Sequence, residues 1–455
     1  MDISLIKAKI DIKNALIGGI LFLAAAFIFY LYSINFSLLA LIAVLFIYLN
    51  FFRKSTDLPS LLDLAILTVI AILVPLITTI IFKIPGYGIA AIGFIILITL
   101  LFENLELSFI FSVLIAFLAA DVSDRSFSVA LSLLIASIVA ALLSYRIRRR
   151  FQVIRAGFLA GIVQFIVAYF LEGRNSFLIF STLDLGLLKI CLINGILSPI
   201  IVLGILPIFE YIFKVLTNIS LLELSDFNHP LMRRLILEAP GTYQHSLVMA
   251  NLSEAAAEAI GANSLLVRVG AYYHDIGKLV KPQYFIENLV NYKDMHKKLK
   301  PSMSKLIIFN HVKEGVELAK KHHINPQIIN FIRQHHGKTL VYYFYSRAKE
   351  IEPDQKHEEE YKYPGPKPQS KEIAIVALAD SVEAISRTVS EPNPARIEEM
   401  VRDVVKKRFL EGELDESSLT LKDLEKITQS FIRILNATYH TRIKYPKENN
   451  NSKKK

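Results

Sequence analysis

Eight apolar runs follow one another between residues 15 and 213, and no other feature narrows the possible folds as much. They cover 15–33, 36–52, 61–82, 87–102, 105–120, 127–145, 156–171 and 187–213, with few charges inside them. About 20 apolar residues suffice for a helix to cross a bilayer, where every backbone polar group must be satisfied within the segment itself. Several runs are at the short end of that range. The expected count is therefore eight spans, with seven as the alternative. Beyond about residue 215 Lys, Glu and Asp become frequent, so the overall 53% of hydrophobic residues averages two unlike halves. The predicted fold is all-α: a polytopic transmembrane helix bundle, then a soluble helical domain. The expected boundaries are 1–215 for the membrane part, 216–240 for an amphipathic linker, 241–446 for the soluble domain and 447–455 for a basic tail.

Cations set the expected orientation. Arg53 and Lys54 follow the second run, and Arg146, Arg148, Arg149, Arg150 and Arg155 follow the sixth, while the loops around Gly86, Asp121 and Glu172 carry few. Lys and Arg concentrate on the cytoplasmic side of membrane proteins. Eight spans with both ends inside satisfy each of these places, which puts the soluble half in the cytoplasm of a multi-pass cell-membrane protein. Lys7, Lys9 and Lys13 before the first run resemble the start of a signal peptide. The apolar core that follows is too long for one, so a retained anchor is expected. The net charge of +10 is read as matching an anionic lipid bilayer, with no DNA or RNA polymer as partner. Cys191 is the single cysteine, which excludes an internal disulfide and a cysteine-cluster zinc site. Asp184 and Lys189 are read as a loop residue and a snorkelling cation, leaving the spans without the charge network of a transporter.

The chemistry lies in the second half, where all eleven histidines occur, none before His229. Asn325 and Pro326 predict a helix start. Ile328 and Ile332 then share a face with His335 and His336, and Gly337 supplies the stop. Asp380 continues the apolar stripe Ile373, Val376 and Ala377. His274 and Asp275 end the apolar stretch 265–273, just before Gly277. An ionised carboxylate on an apolar face is costly without a partner. A lone core histidine is usually only that. Five imidazoles (His245, His274, His311, His335, His336) and two carboxylates (Asp275, Asp380) need a common explanation, and a divalent cation such as Mn, Fe or Zn supplies one.

His245, then His274-Asp275 in YYHDIGK, then Asp380 in LADSVEA resembles the pattern of the HD phosphohydrolase superfamily. The surrounding strings LLELSDFNHPL, EAPGTYQHS, RVGAYYHDIGK, IFNHVKEG, RQHHGKTLV, YPGPKPQSKE and RIKYP strongly resemble the membrane-bound HD family of bacterial cyclic di-AMP phosphodiesterases. The likeness runs from about 221 to 446 and more loosely back through the spans. It implies two divalent metal ions, iron or manganese. His245, His274, Asp275 and Asp380 would hold the first and His311, His335 and His336 the second, with Asp275 bridging. It also implies a cyclic dinucleotide substrate opened to a linear 5′-phosphorylated diadenylate. Relatives carry a large extracytoplasmic domain between the first two spans, where this chain has only residues 33–37.

Lys278, just past the HD pair, is expected to act with Asp275 in catalysis, meeting phosphate or the leaving oxygen. Arg347, Arg387 and Tyr342 are weaker candidates for substrate contacts, and the aromatic stretch 342–345 reads more readily as core. His322 and His323 are expected at the surface, His296 and His357 in solvent. Residues 350–371, with Pro353, Pro364, Gly365, Pro366 and Pro368, read as an exposed loop bordering the site. Two alternatives stay open: an HD hydrolase of another cyclic or linear dinucleotide, such as cyclic di-GMP, and a receptor that binds nucleotide without cleaving it. The cyclic di-GMP branch places Gly-Tyr-Pro after its paired histidines, where this chain has Gly337-Lys338-Thr339-Leu340. A receptor that binds nucleotide without cleaving it would show lost ligands, and none is lost. The sequence leaves the oligomeric state open, a homodimer included.

Overall fold

The computed structural model describes residues 61–172, 185–289, 295–351, 358–389 and 392–439, and the chain falls into two compact units, Met1–Ser220 and Leu221–Lys455. The predicted runs 15–33 and 36–52, Arg174, Asp184, His357 and the basic tail lie outside the described residues.

In the first unit the other six runs all fold as helices: α1 (Leu61–Leu76, continued by a π-helical turn Ile77–Ile81), α2 (Ala91–Phe102), α3 (Leu105–Asp121), α4 (Phe127–Ser144), α5 (Arg150–Leu171) and α6 (Leu185–Phe213). Their starts are chemically marked. Asn104 accepts a hydrogen bond from the Leu107 amide at 3.0 Å, and Ser126 one from Val129 at 3.3 Å. Helix α5 begins six residues before the apolar run it contains, because Arg150 and Gln152 sustain a helical turn that hydropathy does not register. Among the described residues, four helices are long and apolar enough to cross a membrane, Leu62–Ile81, Phe127–Ser144, Arg150–Leu171 and Leu185–Phe213. Their outer faces carry exposed Phe158, Ile166, Ile193 and Ile201, a surface that water disfavours and lipid accepts. Helices α5 and α6 meet through glycines: a Cβ on Gly195 would fall 2.6 Å from the Gly157 carbonyl oxygen. Close backbone approach through small residues is how helices gain contact where lipid is as apolar as their side chains. Buried Gln164 and Asn194 donate to the carbonyls of Tyr87 (2.7 Å) and Ile89 (3.0 Å), in and just after the 3₁₀ turn Gly86–Gly88.

The second unit is also helical. The predicted amphipathic linker 216–240 holds two helices, α7 (Asn218–Leu224) and α8 (Pro230–Glu238), separated by a turn. The reason is local: Pro230 occupies the first turn of α8, and His229 Nδ1 accepts the Leu231 amide at 3.3 Å. Then follow α9 (Pro240–Ile260), α10 (Ser264–Tyr273), a 3₁₀ turn Ile276–Val280, α11 (Pro301–Lys321), α12 (Pro326–Gln334), α13 (Tyr342–Ile351), α14 (Lys371–Ser386), α15 (Pro394–Leu410) and α16 (Leu421–Thr438). Among the described residues the β content is one isolated bridge, Leu340 to Lys362. Helix α9 packs on α10, α14 and α16, and α11 lies along the 3₁₀ turn. That last approach needs glycine, since a Cβ on Gly277 would overlap the His311 carbonyl oxygen and fall 2.5 Å from the Gly315 nitrogen. It brings His311 beside the HD pair.

Candidate metal centre

Five separate segments deliver side chains to one place. His245 lies on α9, His274 and Asp275 follow α10, His311 is midway along α11, His335 and His336 follow α12, and Asp380 is on α14. They form two groups, Asp275 with His311, His335 and His336, and His245 with His274 and Asp380, whose ligand atoms lie within 4.8 Å of one another in each group. Asp275 faces both. Its Oδ2 is 3.1 Å from His274 Nε2 and 3.7 Å from His245 Nε2, while its Oδ1 is 3.3 Å from His311 Nε2 and 3.7 Å from His335 Nε2. Asp380 spans the other side, with Oδ1 3.2 Å from His245 Nε2 and Oδ2 3.6 Å from His336 Nδ1.

The rings are aimed from behind. His274 Nδ1 lies 2.7 Å from the Ala271 carbonyl, His335 Nδ1 3.0 Å from that of Ile332, and His311 Nδ1 meets that of Ile308. A carbonyl only accepts, so each Nδ1 carries the proton and each Nε2 turns a lone pair inward. His245 is held by a carboxylate instead: its Nδ1 is 2.7 Å from Glu383 Oε2. Those inward atoms have no partner. His274 Nε2, His311 Nε2, His335 Nε2 and Asp275 Oδ1 are all buried without a hydrogen bond, a condition proteins avoid unless something else fills the gap. Acceptor atoms converging from separate helices fit a cation and fit little else.

The electrostatics agree. Burial, reinforced by the His274 imidazole, pushes His335 down to about 3, and burial with His335 beside it puts His336 well below its usual range. Burial alone would raise Asp275, but the Lys278 ammonium and His274 hold it well below the usual carboxylate range. Asp380 is likewise held down against burial by its hydrogen bond to His245 and by His336. Burial opposes protonation of His245, yet Asp380 and Glu383 push it up to about 9. Ionised Asp275 and Asp380 beside neutral His335 and His336 are protonation states a divalent ion requires, and the His245 proton is one it would displace.

The remaining predicted residues are placed differently. Lys278 Nζ sits 2.8 Å from Asp275 Oδ2 and 2.7 Å from Glu287 Oε1. Arg387 grips Glu383 with two bonds, 2.6 Å from Nε and 2.5 Å from Nη2, so it stands behind His245. Arg347 donates to the His296 carbonyl at 3.4 Å, and Tyr342 is 68% exposed on α13. Neither is joined to the seven side chains by a described contact. In the aromatic stretch expected as core, Phe344 is buried but Tyr342 and Tyr343 are exposed. His296, expected in solvent, is buried with Nε2 2.8 Å from the Tyr284 carbonyl, its ring against Phe344. Residues 358–371, expected as exposed loop, bury Tyr361 and Tyr363.

A family model described as an HD domain matches residues 242–385, and one described as a 7TM receptor with intracellular HD hydrolase matches residues 27–217. The chain is 45% identical over 299 residues to the cyclic-di-AMP phosphodiesterase PgpH of Bacillus subtilis (strain 168), a match covering 65% of this chain and 42% of that protein. It is 41% identical over 324 residues to the PgpH of Listeria monocytogenes serotype 1/2a (strain 10403S), covering 71% and 45%. The chain belongs to the family of membrane-bound HD proteins. This membrane-bound HD protein spans less than half the length of the curated relatives it matches. The crystal structure of the L. monocytogenes PgpH HD domain in complex with cyclic-di-AMP is 50% identical to it, covering 48% of this chain and 100% of that one, with a TM-score of 0.45. Divalent metal dependence follows for its HD domain, and the two His/Asp groups are the residues able to provide it.

Sequence reasoning about this membrane-bound HD protein passed over Glu383 and Tyr363. Glu383 follows Asp380 by three positions and so shares its helical face, a signal that was present. Tyr363 stacks on His336 with ring centroids 4.2 Å apart. It comes from an irregular segment where no periodicity could mark it.

Proposed function

We propose that this chain hydrolyses cyclic di-AMP to a linear 5′-phosphorylated diadenylate at a dinuclear centre in the cytoplasmic HD domain of a multi-pass membrane protein. The observation that carries this reading is the set of buried, unpartnered acceptor atoms from His274, Asp275, His311 and His335, flanked by His245, His336 and Asp380. The phosphodiesterase names of the relatives support the substrate, and the cations clustered after the second and sixth apolar runs support the orientation.

In this reading His245, His274 and Asp380 would hold one ion and His311, His335 and His336 the other, with Asp275 lying between the two groups. The family resemblance points to Mn or Fe, two of the ions that imidazole and carboxylate donors suit. Such a pair supplies an acidified water as nucleophile and offsets the charge of the phosphoryl oxygens. The protein's own work is placement. Backbone carbonyls behind His274, His311 and His335 fix which nitrogen faces inward. Glu383, itself gripped by Arg387, does the same for His245. Lys278, caught between Asp275 and Glu287, fixes the Asp275 carboxylate and places positive charge where a phosphate enters.

The test uses the full-length chain in detergent micelles, with metal analysis, a hydrolysis assay and competition between cyclic di-AMP and cyclic di-GMP. Turnover of cyclic di-AMP that needs Mn or Fe and ends on chelation is expected. Asp275→Ala is expected to lose activity together with bound metal. Full activity with full metal content in that variant would overturn the bridging role. Tight binding of the nucleotide without turnover would replace the enzyme with a receptor.

A further inference from the structure

We propose that Tyr363 is a substrate-contacting residue of this centre, its phenol O–H donating to a non-bridging oxygen of the scissile phosphodiester; the inference rests on the phosphodiesterase reading above. Its backbone is fixed beside the paired histidines. The Tyr363 amide donates to the Thr339 carbonyl at 3.0 Å, the Val341 amide to that of Tyr361 at 2.9 Å, and Leu340 bridges to Lys362. Its ring is clamped as well. It stacks on His336 at 4.2 Å and 22°, leans on Phe309 at 4.6 Å, and stands edge-on to His311 at 6.3 Å.

Tyr363 is only 8% exposed; among the described residues its hydroxyl makes no protein hydrogen bond, and it is not one of the atoms sealed from solvent, so a ligand can reach it. A ring needed only for packing would be served by phenylalanine, and the hydroxyl adds a reachable donor. Ring contacts with His336 and His311 set Tyr363 against the centre.

The chemistry of the neighbours says what the hydroxyl is for. His274, His311 and His335 turn lone pairs inward, Asp275 and Asp380 are acceptors, and the Lys278 ammonium is shared between two carboxylates. A phosphodiester brings more acceptors. It finds in Tyr363 an unengaged donor, neutral at physiological pH and held rigidly. A donor fixed in advance stabilises developing charge without reorganising.

Tyr363→Phe keeps the stack on His336 and removes only the hydroxyl. In the metal-loaded full-length chain it is expected to lower kcat for cyclic di-AMP about 100-fold, the range seen for removing a single preorganised donor. Metal content and Tm should match the parent, and inorganic phosphate should bind about tenfold more weakly by the same reasoning. Tyr363→Leu, which removes the stack too, should in addition lose metal. A Tyr363→Phe protein with parental kcat and parental phosphate affinity overturns the proposal. So does one whose lost activity is matched by lost metal, because the ring would then only support His336. If the parent hydrolyses no cyclic dinucleotide, the phosphodiesterase reading fails by itself. The phosphate comparison still decides Tyr363: weaker binding at equal metal content upholds the donor, and equal binding removes it.

Discussion

His245 is steered by Glu383 at 2.7 Å, and Glu383 is in turn held by Arg387. Removing an outer carboxylate of this kind weakens metal binding about 10–100-fold. Glu383→Ala should therefore lower the affinity of one ion and leave the second nearly unchanged, as two-step metal titration would report; a uniform loss would deny the link. Arg387→Ala should have the same sign and a smaller size. The imidazoles also give the metal-free protein a pH dependence of fixed sign. Free histidine titrates near 6.5, but His335 is pushed down to about 3 and His336 falls well below its usual range. Stability from His335 is full above about pH 6.5 and is lost as pH falls towards 3, and His336 contributes in the same sense. His245, raised to about 9, works in the opposite sense: its share is full below about pH 6.5 and disappears as pH rises through 9. The chelated protein should show its highest Tm near neutrality, and a Tm that climbs steadily from pH 5 to 10 would contradict this. His274, Asp275, His335, His336 and Asp380 were legible in the sequence because each sits on, or directly ends, a patterned apolar stretch, whereas His245 and His311 stood out only through the family resemblance. His296 was misjudged, since its charged neighbours Lys297 and Lys298 hid the pocket made by Tyr284 and Phe344.

At the scale of elements, the contact between α11 and the turn Ile276–Val280 decides whether His311 reaches the others. Gly277→Ala inserts a methyl group against the His311 carbonyl, where neither backbone can retreat. We expect a lower Tm and loss of the ion that His311 serves, read by calorimetry and metal analysis; unchanged stoichiometry would mean that the turn can shift. Helix identity was readable from apolar spacing in the six described runs of the first unit and around His335 and Asp380, and edges were not. The start of α5 at Arg150 and the break before Pro230 depend on capping and backbone chemistry, to which hydropathy is blind. The segment around Tyr363 was the least legible element. Its order comes from single hydrogen bonds, from Tyr363 to Thr339 and from Val341 to Tyr361, rather than from any repeating pattern.

Over the whole molecule the two halves obey different solvents, and the division after Ser220 follows the change in composition. Their stabilities should respond to different ligands. A cation that binds only the folded HD unit stabilises it by about 2.7 kcal/mol at one hundred times its Kd. Chelation should therefore lower one calorimetric transition and leave a second, lipid-dependent one in place; a single transition moving as a whole would mean the halves unfold together. The carbonyls that aim His274, His311 and His335 all belong to the preceding turn of their own segment, three residues back in each case. Ring orientation at those positions is thus inherited from helix geometry before any docking takes place. The conformational entropy of these side chains is surrendered during folding, so an arriving ion has chiefly its own hydration shell to shed.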